Sequence, residues 1–261
     1  FIASRIARPL AEVTRAAGRL GRGEAHQPLP QTGPRELRTV AASFNRMAAD
    51  LDQLERERAT VLAGISHDLR TPLSRLRLGL EMSGAQRDIA EGMGTDIEEM
   101  DRVIGQFLDY ARGEDEARVE GDLDALAGDL AEAAARRGER LAFRAGGLPR
   151  IPFAPLAMRR AIGNLVNNAL RHAGGAVELA TRVDGGCAVV EVLDRGPGVP
   201  AAEIERLKRP FTRLDDARGG GGGSGLGLAI VERVARAHGG RLELSPREGG
   251  GLAARLFLSL G

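Results

Sequence analysis

Three side chains in the stretch GISHDLRTPLSRLRLGL, residues 64–80, have the types and spacing to do chemistry. His67 carries an imidazole whose free nitrogen, near neutral pH, is a nucleophile able to accept a phosphoryl group. Asp68 lies beside it and can accept a hydrogen bond from the other ring nitrogen. Thr71 follows one helical turn along the same face, where its hydroxyl can hold a water near the ring. The apolar seam of this stretch passes through Ile65 and Leu69, which leaves His67 off the seam, on an exposed flank. Pro72 removes one backbone hydrogen bond just past the histidine and bends the helix where mobility is useful. On this stretch alone, an exposed histidine beside an incidental kink explains the pattern equally well.

The second half of the chain carries polar groups of a complementary kind. In NLVNNALRH, Asn164 and Asn168 are four apart on one helix face, and paired amide oxygens suit a hard cation such as Mg²⁺ with its phosphates. In DRGPG, Asp194 stands at the end of an apolar strand, where a carboxylate can accept from an adenine amino group. Gly196 and Gly198 let the loop backbone come close to a base. In GGGGGSGLGLAIV, Gly225 and Gly227 lead into a helix whose N-terminus faces anionic phosphates. No Gly-Lys-Ser/Thr follows, so this is not a Walker loop. Each item alone is weak; their order and compact spacing after SHDLRTPL are not.

These groups need elements to hold them. Residues 1–112 are helical in pattern. Ile6, Leu10, Val13, Ala17 and Leu20 recur at fours and threes, and GRGEAHQPLPQTGP then breaks the periodicity. Leu37, Val40, Phe44, Met47, Leu51 and Leu54 make a heptad seam that continues through Val61, Ile65, Leu69, Leu73, Leu76 and Leu80. SGAQRD reads as a turn, and Ile89, Met93, Ile97, Met100, Ile104 and Leu108 form the returning helix. Met93 and Met100 are expected in a core. A hairpin of 55–84 against 88–112 leaves half a seam unpaired, and two hairpins complete a four-helix bundle, so a homodimer is expected. After residue 121 helical and alternating segments intermix: a helix at 122–137, the strand RLAFRA, a long helix from Phe153, paired strands around Gly185-Gly186, a helix after the glycine run, and two closing strands. Antiparallel strands with three helices on one face make an α/β sandwich.

Composition narrows the function. Lys+Arg number 37 against 36 Asp+Glu, a net charge of +1 that gives no case for nucleic acid. Cys187 is the single cysteine, which excludes a disulfide framework and a cysteine metal cluster. No run of about 18 apolar residues occurs. The abrupt start at Phe1 and the closely following Arg5, Arg8, Arg15, Arg19 and Arg22 fit the basic flank just inside a bilayer, so a transmembrane helix is expected to precede this chain.

Taken in order, the motifs resemble the membrane-bound sensor histidine kinases of bacterial two-component systems. SHDLRTPL resembles the H box, NLVNNALRH the N box, DRGPG the G1 box, RPFTR the F box and GSGLGLAIV the G2 box. Pro9, and Glu36 after TGP, resemble a HAMP module, and HDLRTPLSRLRLGLEM is similar to the osmosensor EnvZ-type kinases. The resemblance implies a HAMP parallel coiled coil at 1–54, a dimeric phosphoacceptor hairpin forming a four-helix bundle at 55–114, and a Bergerat-type ATP-binding α/β sandwich at 115–261. It implies that His67 accepts the phosphoryl group, that Asp68 assists as base, and that Thr71 positions the water that removes phosphate from a response regulator. It implies ATP with Mg²⁺ on Asn164 and Asn168. Nucleotide contacts fall to Arg171, His172, Asp194, Gly196, Gly198, Phe211, Gly225, Leu226 and Gly227. The expected setting is the cytoplasmic portion of an inner-membrane protein, with a response regulator receiver domain as partner.

Two departures stand out: His172 replaces the usual Tyr, and the lid RLDDARGGGGG is unusually rich in glycine, hence expected to be mobile. The remaining histidines, His26 and His238, are expected to be surface residues, and Cys187 a strand residue without a redox role. A Bergerat-fold ATPase is disfavoured, since those relatives place Glu where Asn164 stands. A non-catalytic coiled-coil scaffold is disfavoured because every box keeps its reactive residues.

Overall fold

A computed structural model describes residues 2–21, 27–83, 87–111, 116–173, 175–214 and 224–260. Only the backbone is described at 2–6, 55, 58, 59, 63, 66, 67, 87, 88 and 111. His26, most of the glycine-rich lid (215–223) and the side chain of His67 therefore lie outside the described residues. The chain divides into two compact units, Phe1–Val61 and Leu62–Gly261.

In the first unit, helix α1 (Ile2–Gly21) packs on the start of α2 (Arg35–Met82). Their shared core is small: Ala16, Ala41, Phe44 and Ala48, closed by Leu29 from the connector. Leu29 sits between Pro28 and Pro30, neither of which has an N–H to pair. Asn45 compensates: its Oδ1 accepts from Leu29 N–H at 2.8 Å and its Nδ2 donates to Leu29 C=O at 2.9 Å. The side-chain amide thus stands in for a neighbouring peptide unit.

In the second unit α2 continues through Pro72 without a break, and α3 (Arg87–Ala111) returns alongside it. Arg70 Nε donates to Asp101 Oδ1 at 2.8 Å, which brings residue 70 level with 101 and residue 67 level with about 104. Ile97 and Leu108 are buried, but Ile65, Leu69, Leu76, Met93 and Met100 are exposed, as is Val61 at the end of the first unit. The expectation that Met93 and Met100 are core residues is therefore corrected for the single chain: they lie on the open side of the seam.

The sandwich begins with β1 (Val119–Gly121), which pairs antiparallel with β3 (Ile151–Phe153) in a separate two-stranded sheet. Between them lie α4 (Leu123–Arg136), capped by Asp122, and β2 (Leu141–Arg144). Then come α5 (Pro155–His172), β4 (Val177–Asp184), β5 (Cys187–Leu193), a 3-10 turn into α6 (Ile204–Leu207), α7 (Gly227–Ala237), β6 (Arg241–Pro246) and β7 (Leu252–Ser259). The main sheet has the order β2-β4-β5-β7-β6. Its β2–β4 pair is parallel, where antiparallel pairs were expected, because α5 carries the chain across between them. Alternate residues such as Val177, Leu179, Val190, Leu242 and Leu256 are buried in one core with Met158, Ile162, Leu165 and Ile230 of the helices.

Helix α5 starts without a side-chain cap of its own: Ala154 occupies the N-cap and Pro155 the first turn. Its orphan N–H groups are met from afar. Glu116 accepts from Leu156 N–H and Ala157 N–H, both at 2.9 Å, and His238 Nε2 accepts from Ala154 N–H at 3.0 Å. His238 Nδ1 lies 2.8 Å from Val234 C=O, so Nδ1 carries the proton. The expectation that His238 is a bland surface residue is corrected: it stitches α7 to α5.

Asn45→Ala should cost the first unit about 1–3 kcal/mol, since both polar groups of Leu29 lose their partner. The check is amide exchange at Leu29, which should speed up by at least about tenfold; unchanged protection would show that the clasp is dispensable.

Candidate functional site

A cavity of about 1830 Å³ opens between α5, the loop after β5, the two ends of the lid and the hairpin helix α3. Asn164 and Asn168 reach it from one face of α5, with Asn167 beside them, and Arg171 and His172 reach it from the helix end.

Asp194 forms the opposite wall and is only 4% exposed. Its Oδ1 accepts from Gly196 N–H at 2.8 Å and from Leu252 N–H at 3.1 Å. With both bonds on one oxygen, the other is left for a ligand. Backbone bonds reinforce the position: Asp194 N–H donates to Leu252 C=O at 3.0 Å. The glycines around it are there for space. A Cβ on Gly196 would lie 2.3 Å from His172 C=O, and one on Gly251 would lie 2.1 Å from Asp194 C=O. Gly198, with a positive φ, lines the cavity. Gly251, Leu252 and Arg247, which donates to Asp194 C=O at 3.3 Å, were not singled out in the sequence. The run Gly249-Gly250-Gly251 was the available signal.

The lid's two ends meet. Phe211 N–H donates to Gly225 C=O at 3.0 Å, and Gly225 holds φ +69 with Phe211 and Thr212 backbone 2.9 Å from where a Cβ would sit. Gly227, the first residue of α7, has room for a Cβ 3.5 Å from Asn164 Oδ1. Leu226 is fully buried in the sandwich core beneath the cavity. Phe211 has φ +61, is 62% exposed, and sets its ring 6.5 Å from that of Phe107 on α3.

The hairpin supplies the remaining wall. Ser224 Oγ donates to Gln106 Oε1 at 2.7 Å, and Arg102 Nη1 donates to the same oxygen at 3.0 Å. Arg102 also grips the Glu99 carboxylate with Nε and Nη2. That hydrogen bond, with Arg171 and Arg213 nearby, holds Glu99 below the usual carboxylate range. At the end of α3, Arg233 of α7 donates to the carbonyls of Asp109 and Tyr110 and lies 5.1 Å from the Tyr110 ring centre. Arg160 of α5 pairs with Asp109 at 3.4 Å. A cation over the last carbonyls of a helix opposes their partial negative charge. Asp68 and Thr71 are exposed on α2. The backbone of residue 67 is level with Arg102–Gln106, where the cavity meets the hairpin.

Three family models match the chain: the HAMP domain at 1–53, the His Kinase A (phospho-acceptor) domain at 57–116, and the histidine kinase-, DNA gyrase B-, and HSP90-like ATPase at 154–261. Sensor histidine kinase GtrS of Pseudomonas aeruginosa is 37% identical over 253 residues, covering 96% of this chain and 52% of GtrS. The crystal structure of full-length ShkA in complex with AMPPNP aligns with a TM-score of 0.62 at 25% identity, over 77% of this chain and 46% of ShkA. The histidine kinase domain of the E. coli osmosensor EnvZ, solved by NMR, is 33% identical over 57% of this chain and 93% of that domain, with a TM-score of 0.45. Hairpin and five-stranded sandwich define the class: a helical signalling protein carrying an ATPase domain of the histidine kinase type. The chain belongs to the bacterial two-component sensor histidine kinases. It spans 52% to 66% of the length of the curated relatives it matches. Among the described residues no helix is long and apolar enough to cross a membrane.

Two glycines of one motif should now behave differently. Gly225→Ala should lower the melting temperature of the sandwich, with a cost of about 1–3 kcal/mol from the left-handed backbone and the close contacts. Gly227→Ala should leave it within about 1 kcal/mol, because a helix start accepts Ala. Calorimetry on both variants checks this; equal shifts would contradict the geometry.

Proposed function

We propose that this chain is the signalling and kinase portion of a membrane-bound sensor histidine kinase, organised as HAMP (1–54), phosphoacceptor hairpin (55–114) and ATP-binding sandwich (115–261). It phosphorylates itself on His67, passes the phosphoryl group to an aspartate of a response regulator receiver domain, and removes it again. The observation that carries this reading is one cavity lined by Asp194, Asn164 and Asn168 and walled by α3 at the level of residue 67.

Asp194, through its second oxygen, accepts a hydrogen bond from the amino group of adenine. Gly196 and Gly198 leave the base an approach along the loop backbone, and His172 borders it. Asn164 and Asn168 offer neutral amide oxygens one turn apart, a donor set that fits Mg²⁺ brought in by the nucleotide; when bound, the ion screens the phosphate charge. Arg171 meets the phosphates from the helix end, and Phe211, Gly225 and Gly227 stand at the two ends of the lid beside them. The unprotonated nitrogen of His67 attacks the terminal phosphorus, the bond to the bridging oxygen breaks, and ADP departs. Asp68 takes up the proton of the other ring nitrogen as positive charge develops on the ring. Thr71 holds the water that hydrolyses the regulator's phospho-aspartate. The exposed stripe Val61, Ile65, Leu69, Leu76, Met93 and Met100 supports a homodimer in which two hairpins close a four-helix bundle.

Two substitutions test the kinase reading in the full chain incubated with labelled ATP. His67→Gln should abolish acid-labile label while Mg²⁺-dependent nucleotide binding persists. Asn168→Ala should lose that binding while the dimer persists. Label on the His67→Gln protein would refute the acceptor assignment.

Thr71→Ala should separate the two activities. It removes an exposed hydroxyl from a helix, so stability should change by less than about 1 kcal/mol. Label incorporation should stay near normal, whereas decay of a purified phospho-regulator with ADP and Mg²⁺ should slow at least about tenfold. Equal loss of both would make Thr71 a structural residue.

A further inference from the structure

Arg247 follows β6, outside every sequence motif and outside the lining of the cavity, yet its guanidinium ends at the wall that carries Asp194. Its Nη1 donates to Asp194 C=O at 3.3 Å and its Nη2 donates to Glu178 Oε1. Glu178 lies on β4 directly opposite Leu193, the last residue of β5. With the strands in the order β4-β5-β7-β6, this one side chain crosses the ends of β7 and β5 to reach β4. Only 13% of it is exposed. Its two acceptors sit on different strands and take different nitrogens, a reach that suits a planar fork better than a single ammonium. The hydrogen bond from Arg247 holds Glu178 below the usual carboxylate range. The loop that presents Arg247 is closed on itself: Arg247 N–H donates to Gly251 C=O at 3.0 Å, and Gly250 N–H donates to Arg247 C=O at 3.1 Å. In return Arg195, next to Asp194, donates through Nη1 to Glu248 C=O at 3.2 Å. Each of the two loops thus grips the other with an arginine.

What this strut holds is one peptide. The carbonyl that Arg247 grips belongs to the Asp194–Arg195 peptide. Turning that peptide would carry Gly196 N–H away from Asp194 Oδ1, and with it the bond that sets the direction of the carboxylate. A carboxylate is an acceptor only, so it selects a base by an amino group, and only while its second oxygen keeps one direction. We infer that Arg247, anchored by Glu178, is a positioning residue for base recognition: it fixes the Asp194 peptide so that the second carboxylate oxygen meets the 6-amino group of adenine. This role rests on the ATP reading above and deepens it, from which residue reads the base to what makes the reading selective. Arg247 touches no part of the nucleotide and acts through Asp194. An arginine that only braced the end of the sheet would affect every nucleotide alike; one that aims Asp194 affects the amino group alone.

The test is calorimetric titration of the full chain with Mg-ADP and with the Mg complex of purine riboside diphosphate, which differs from ADP only in lacking the 6-amino group. The wild-type chain should prefer ADP by about tenfold or more, the worth of a hydrogen bond to a charged acceptor. Arg247→Ala should weaken ADP until the preference is within about threefold, and leave the analogue within about twofold of wild type. Arg247→Lys should keep an intermediate preference. Glu178→Ala, at a half-exposed position, removes the anchor and should lower the preference in the same direction. If Arg247→Ala weakens both nucleotides by the same factor, or leaves the preference unchanged, the positioning role is overturned while the ATP reading stands. Should Arg247→Ala not fold, an unchanged preference in Glu178→Ala overturns it equally. A wild-type chain that binds both nucleotides alike overturns the role and leaves nucleotide binding in place; one that binds neither overturns the ATP reading, and this role with it.

Discussion

Everything in the site depends on where α5 lies, and α5 cannot fix its own beginning. An 18-residue helix that starts Ala154-Pro155 has no local side chain to meet its first amides. The amides are met by a carboxylate from the stretch entering the sandwich, Glu116, and by a ring from the far end of α7, His238. Ala154 and Ala157 are buried, and an amide left unpaired there would cost about 1–3 kcal/mol, so the chain folds so as to bring these partners in. The consequence is structural economy. The asparagines, Arg171 and His172 ride on a helix whose position is set by the entry stretch of the domain and by the helix that follows the lid.

The opposite wall is built on the same logic. One carboxylate oxygen of Asp194 joins the loop after β5 to the start of β7. Gly196 and Gly251 are needed because the backbones pass too closely for any Cβ. The second carboxylate oxygen keeps its freedom because the first does the structural work.

Much of this was legible in the sequence where a period or a motif was long enough to register. The seam from Leu37 to Leu80 and the alternation in β4 and β5 gave the long elements, and α2 runs through Pro72 as one helix. β1 and β3, three residues each, are too short to show alternation. The parallel β2–β4 pair follows from a crossover, which periodicity does not encode. Asp194, Asn164 and Asn168 stood out by motif. Leu226 sat in a motif yet packs into the core, because an apolar side chain between two glycines takes the inward direction there. Gln106, Glu116 and His238 could not be found locally, since each bonds a residue at least 40 positions away. Met93 and Met100 followed the right spacing, but spacing does not say which chain covers the seam.

Arg233 closes the end of α3 from the other side of the domain boundary. The sandwich is thereby moored to the last turn of α3, where Arg160 of α5 also pairs with Asp109. Because the same guanidinium both docks the sandwich and caps the helix, a sandwich that lets go leaves the last carbonyls of α3 without their cation, and each residue the helix then gives up adds nearly 2 Å of reach, the difference between about 1.5 Å helical and about 3.4 Å extended rise.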